Sequence, residues 1–165
     1  MRATALISAV LVPLVLAAPT NYDIEARHSG IADRQARPAK PKPCEPMSPA
    51  PTEEETKARF DQFAKAFIYD KNITRAFEFI NKGYINHNPA AQNGFDSAWN
   101  ILSPMWGSGS ITPIRTAFKS PQGWLNYKSG SFGEVVDRYR WEAGCIAEHW
   151  DQGEKFPTNA SIIST

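Results

Sequence analysis

Apolar positions along the chain change their period partway. After Thr52, Phe60, Phe63, Ala64 and Phe67 recur at i, i+3, i+4 and i+7, which puts three rings on one helical face that must be buried. Thr52-Glu53-Glu54-Glu55 has the form of a capping box, and its acidic first turn suits the positive end of a helix dipole. A second short helix is predicted from Ile73, Ala76, Phe77 and Ile80, with a stop near Gly83. A third runs from Phe95 through Trp99 to Leu102 and ends before Pro104. Beyond Gly107 the period becomes two. Thr112, Ile114, Thr116 and Phe118 alternate with Pro113, Arg115 and Ala117, a strand whose proline favours an edge. Residues 119–123 should turn, residues 124–129 form a strand, and residues 130–133 turn again. Residues 134–141 and 145–151 read as a hairpin joined by Glu142-Ala143-Gly144. Helices followed by strands indicate an α+β domain with a mainly antiparallel sheet packed on a helical layer.

The N-terminal segment has a different character. MRATALISAVLVPLVLAAPT has the basic start, the apolar run and the small residues of a secretory signal peptide, assigned to residues 1–17. The run is shorter than the roughly 20 residues a spanning helix needs, so a released protein with no membrane partner is expected. Residues 18–51 read as a disordered proline-rich arm or pro-region, because six of the fourteen residues in PAKPKPCEPMSPAP are proline. Residues 52–157 form the domain, and residues 158–165 a flexible tail. Asn72-Ile73-Thr74 and Asn159-Ala160-Ser161 are acceptor patterns for N-linked glycan, which fits an extracellular protein. The chain has two cysteines, Cys44 and Cys145, and in an oxidising compartment they are expected to pair, the alternative being two separate thiols. A net charge of +1 offers no basic stripe, so nucleic acid is not an expected partner.

Candidate chemistry lies in two segments. On residues 134–141, alternation places Val135, Asp137, Tyr139 and Trp141 on one apolar face, so Asp137 is a carboxylate among hydrophobic neighbours and needs a partner. In CIAEHWD, Cys145, Ala147, His149 and Asp151 share one face and Ile146, Glu148 and Trp150 the other. Inward small residues would leave space before His149 and Asp151. The opposite assignment buries Ile146 and Trp150 instead, and alternation leaves both open. In Tyr84-Ile85-Asn86-His87-Asn88-Pro89, an extended chain puts His87 on the same side as Ile85, which is read as inward.

The segments YINHNP and VVDRYRWEAGCIAEHWD, in that order and separated by a helix and strands, resemble the SnoaL-like polyketide cyclases of the nuclear transport factor two-like fold. The resemblance covers about residues 55–155. It implies a cone-shaped α+β roll, in which N-terminal helices pack into a strongly curved sheet around a mostly apolar pocket. It also implies aldol-type general acid/base chemistry on a small carbonyl compound without metal or cofactor. By position, Asp151 matches the family's pocket aspartate, with Asp137, His87 and His149 completing the catalytic set and Tyr84, Trp99, Trp106 and Tyr139 lining the pocket. A homodimer is a further implication. The chain departs from the family pattern at KSPQG, where Gly-Asp is usual, and on residues 124–129, which lack a histidine. The expected function is therefore a secreted cyclase or isomerase. The alternatives are a non-catalytic binder of a small apolar metabolite and a secreted interaction protein.

Overall fold

The structure is a computed structural model that describes residues 37–158. The signal peptide, the arm before residue 37 and the Asn159 sequon lie outside the described residues. Helix α1 (Glu53–Ala64) starts at the capping box: Thr52 Oγ1 accepts from the Glu55 N–H at 3.2 Å, and Glu55 Oε2 accepts from the Thr52 N–H at 2.8 Å. Such a cap is worth about 1 kcal/mol. Phe60, Phe63 and Ala64 are buried along α1, and the stripe continues to Phe67 in a π-helical turn, Lys65–Tyr69.

Helix α2 (Ile73–Phe77) is shorter than its periodicity suggested. Ile80 is buried, as its spacing requires, but by the sheet: strand β1 (Ile80–Asn86) already begins there, and Gly83 lies within the strand rather than capping a helix. Backbone pairing explains the change, since the Ile146 N–H donates to Phe79 O and the Cys44 N–H to Ile80 O, both at 2.8 Å. Helix α3 (Phe95–Leu102) ends at Ser103, ahead of Pro104 as expected.

Strands β2 (Ile111–Lys119), β3 (Gln122–Ser129), β4 (Gly133–Glu142) and β5 (Cys145–Trp150) complete a five-stranded mixed sheet of order β1-β5-β4-β3-β2. β1 lies parallel to β5, the other neighbours are antiparallel, and the proline-bearing β2 is at an edge. The β4–β5 connection has two residues, not three: Ala143 and Gly144 both take positive φ, 46° and 80°, the twist a tight hairpin requires.

Helices α1 and α2 and the π turn pack on one face of the sheet through a largely aromatic core. Phe63 meets Tyr139 edge-on at 4.9 Å, and Phe60 lies 5.5 Å from Phe118. Gly123 belongs to β3 rather than to a turn. A Cβ there would lie 2.5 Å from the Phe60 ring, so glycine lets the helix approach the strand.

Part of the arm is ordered, contrary to the sequence expectation. Cys44 is buried, forms a parallel bridge with Asn81 and is joined to Cys145, with Cα atoms 5.8 Å apart. The Met47 N–H donates to Ala143 O, and Arg59 of α1 donates from Nε to Gly144 O at 2.6 Å and from Nη2 to Cys44 Sγ at 3.6 Å, so backbone and side-chain contacts hold residues 44–47 beside the hairpin turn. The disulfide encloses a separation of 101 residues. A loop of that length corresponds to about 4 to 5 kcal/mol in the chain-entropy account. Among the described residues, no helix is long and apolar enough to cross a membrane.

Candidate functional site

Asp137 lies mid-strand on β4 with its side chain toward the helices, together with Tyr139 and Trp141, as period-two reading predicted. It is 3% exposed and fully engaged. Its Oδ2 accepts from the hydroxyls of Tyr127, at 2.9 Å, and Tyr139, at 3.1 Å, and its Oδ1 lies 3.2 Å from His149 Nε2. Tyr127 is a site residue that the sequence reading missed. Its signal was alternation on β3, where Gly123, Leu125 and Tyr127 are buried in register with Tyr139, Asp137 and Val135.

His149 reaches this group because β5 is irregular. Tyr139 pairs with His149 and Arg140 with Glu148, but Trp141 pairs with Ile146, so Ala147 is an extra residue, a β-bulge. The bulge resets the phase. Ile146 and His149 both face the core, whereas Cys145 pairs with Glu142 on the other side and joins Cys44. The two faces proposed from strict alternation are therefore mixed: the inward position of His149 holds, and the small residues expected before it are replaced by Ile146. Asp151, just past the strand end, is half-buried. One ligating atom from each of Asp137, His149 and Asp151 lies within 4.8 Å of the others, an arrangement that could hold a metal ion.

The end of β1 and the loop after it supply the remaining polar contacts. Asn86 pairs with His149, and its Oδ1 lies 3.2 Å from His149 Nδ1. Asn88 Nδ2 donates to Asp151 Oδ2 at 2.6 Å. Tyr84, also on β1, is 4% exposed, and its ring stacks toward His149 at 6.3 Å. Burial raises its hydroxyl pKa well above the usual range, and the negative charges of Asp137 and Asp151 raise it further. Burial does the same to Tyr127 and Tyr139, again reinforced by Asp137, so all three phenols remain donors. Tyr127 and Tyr139 donate hydrogen bonds to Asp137, whereas the Tyr84 hydroxyl has no hydrogen-bond partner among the described residues. Trp141 Nε1 is a buried side-chain polar atom without a partner among those residues.

His87 is not part of this cluster. Tyr84 and Asn86 take the inner positions of β1, so Ile85 and His87 fall outside, and Ile85 is exposed rather than buried. His87 stacks on Trp150 at 4.4 Å and its Nε2 lies 2.8 Å from Glu148 Oε2. Glu148 also accepts from Arg140 Nε at 2.7 Å. The hydrogen bond to His87, helped by Arg140, holds the Glu148 carboxyl below the usual 4.5 against a smaller opposing effect of burial.

Trp99 and Trp106 are buried in the aromatic core. Trp99 meets Phe77 at 5.1 Å, while Trp106 stacks on Phe67 at 3.9 Å and donates its indole N–H to Phe67 O. Tyr139 is buried between Phe63 and His149, and its hydroxyl belongs to the polar cluster. A groove of about 420 Å³ lies elsewhere, lined by Asp61, Gln62, Ala64, Lys65, Tyr69 and Thr116, and shares no residue with the cluster.

No family model and no curated protein matches the chain. Solved structures do match its fold. An NTF2-like protein of unknown function from Burkholderia xenovorans is similar at TM-score 0.50 and 12% identity, over 64% of this chain and 90% of that one. A SnoaL-like protein of unknown function from Burkholderia thailandensis is similar at TM-score 0.49 and 9% identity, over 61% and 96%. TsrD from Streptomyces laurentii is similar at TM-score 0.46 and 15% identity, over 61% and 89%. The chain has the NTF2-like α+β fold.

Proposed function

We propose that this protein is a secreted enzyme that moves a proton on a small carbonyl compound, with Asp151 as base and the Asp137–His149 pair as acid. One observation carries the reading: both ring nitrogens of His149 face oxygen acceptors. Asn86 Oδ1 already accepts the Asn88 backbone N–H at 3.0 Å, which orients that amide with its oxygen toward Nδ1. Nε2 faces Asp137 Oδ1. When Nδ1 carries a proton, the second contact requires another, held on Nε2 or on the carboxyl. Neither Asp137 nor Asp151 pairs with a lysine or arginine among the described residues, and His149 is the nitrogen base that lies against Asp137.

A stored proton beside a second carboxylate is what keto–enol chemistry needs. Asp151 would take the proton from the carbon next to a carbonyl, and the electron pair would move onto the carbonyl oxygen. The unpartnered Tyr84 hydroxyl would donate a hydrogen bond to that oxygen, and the proton of the pair would neutralise it. Return of the first proton to another carbon gives isomerisation, and attack of the enol carbon on a second carbonyl gives ring closure. Neither route uses a cofactor.

The test is exchange of α-protons of the bicyclic ketone α-tetralone for deuterium in heavy water, followed by proton NMR. The wild-type protein should accelerate exchange, and Asp151→Asn should lower that acceleration by about 100-fold or more, the scale of a general base. Equal exchange with both proteins would refute the proposal.

A second reading is binding without turnover, which the lack of a histidine on residues 124–129 favours, because the family pattern has a polar pocket group there. It predicts ketone binding with no exchange in either protein. Secretion is supported by the N-terminal pattern and the buried disulfide. Asn72 is compatible with a glycan: it is exposed, and it caps α2 through Oδ1 rather than through the nitrogen a glycan would occupy.

A further inference from the structure

Three consecutive residues at the end of β1, Asn86-His87-Asn88, divide between the two sides of the sheet. The histidine goes outward to Glu148, and the two asparagines go to the buried cluster. We propose that Asn86 and Asn88 are positioning residues: Asn86 holds the Nδ1 proton of His149, so that Nε2 is the nitrogen facing Asp137, and Asn88 holds the Asp151 carboxylate beside it.

Each amide is oriented by a second bond that leaves little freedom in which end faces the site. Asn86 Oδ1 accepts the Asn88 backbone N–H at 3.0 Å, so the oxygen is the end presented to the imidazole. Asn88 Oδ1 accepts the Ala90 N–H at 2.8 Å, so its nitrogen is the end presented to Asp151, where it donates at 2.6 Å. Asx turns of this kind are built from the asparagine side chain and the backbone ahead of it. The loop is tied further by the Asn93 side chain, which accepts from the Asn86 N–H at 2.9 Å, and by the His87 N–H, which donates to His149 O at 2.9 Å. A short stretch of chain thus fixes both the tautomer of one catalytic candidate and the direction of the other.

The importance of this arrangement rests on the acid/base reading above, but its test does not. The full chain, labelled with ¹⁵N and ¹³C, is examined at pH 7 through the ring nitrogens of His149 and the carboxyl carbon of Asp151. In the wild type, Nδ1 of His149 should have the shift of a protonated nitrogen. Asn86→Leu removes the acceptor, so Nδ1 should move to the shift of an unprotonated nitrogen while the Asp151 carboxyl stays in place. Asn86→Asp, which keeps an acceptor oxygen, should restore the protonated shift. Asn88→Ala retains its backbone N–H and should move the Asp151 carboxyl while leaving His149 Nδ1 protonated. His87, bonded to Glu148 on the other side of the sheet, should keep its shifts throughout.

A wild-type Nδ1 without a proton overturns the proposal, as does an Asn86→Leu spectrum unchanged at His149, or one in which each substitution moves both groups. If the nitrogen and carboxyl shifts behave as stated while ketone exchange is absent, the positioning stands and the proposed activity falls. The reverse combination separates them the other way.

Discussion

The β4–β5 hairpin carries charge on both of its faces and treats it in opposite ways. On the outer face, Arg138 and Arg140 alternate with the inner residues. Arg140 reaches Glu142 and Glu148, Arg138 reaches Glu154 and covers the Trp150 ring at 3.9 Å, and His87 completes the group. Each anion there has a permanent cation and access to water. On the inner face, Asp137 has two phenols and an imidazole, and Asp151 has an amide. The inner carboxylates are met by neutral phenols, an imidazole and an amide, whereas the arginines of the outer face hold their charge at any ordinary pH. The same strands thus build an ion network on one side and a buried, hydrogen-bonded polar cluster on the other. Burial is what makes the inner one costly to leave unpaired.

The comparison breaks most sharply at Asp137. Asp137→Ala leaves two buried hydroxyls and one imidazole nitrogen without their acceptor, and should cost about 3 kcal/mol in urea denaturation. A loss as small as that of an outer-face substitution would show that the inner polar group is incidental. Packing beside the cluster is tested by Gly123→Ala, which sets a methyl against Phe60 under the inner face. It should cost about 1 to 3 kcal/mol and lower the thermal midpoint. A neutral result would mean that α1 can retreat from the sheet.

The smallest effect is expected on the outer face. Glu148→Gln removes an anion that is partly in water, and should change stability by less than about 1 kcal/mol at pH 7. Its pH dependence has a definite sign. Because His87 and Arg140 hold the Glu148 carboxyl below 4.5, its contribution is complete above that value and is lost as pH falls through the lowered one. The stability gap between wild type and Glu148→Gln should therefore narrow below about pH 4.5. A gap that widened on acidification would contradict the pairing.

Much of this architecture follows from local sequence. The capping box placed the start of α1, period-two alternation on β4 turned Asp137 inward, and the two cysteines behind a signal-like N-terminal pattern pointed to one bridge. These depend on interactions a few residues long, or on a pair with no other partner.

Tertiary pairing decided the rest. Nothing in YINHNP says which of Tyr84 or Ile85 is buried; the parallel register with β5 does, and it carries His87 out and Asn86 in. The bulge at Ala147 is invisible until β5 lies against β4, yet it alone lets Ile146 and His149 face the same way. Asn86 and Asn88 stand in a segment that reads as extended up to Pro89, but their partners are 63 residues away and only the fold brings them together. Alternation along a strand is a local property, while its phase is set by whatever strand lies beside it.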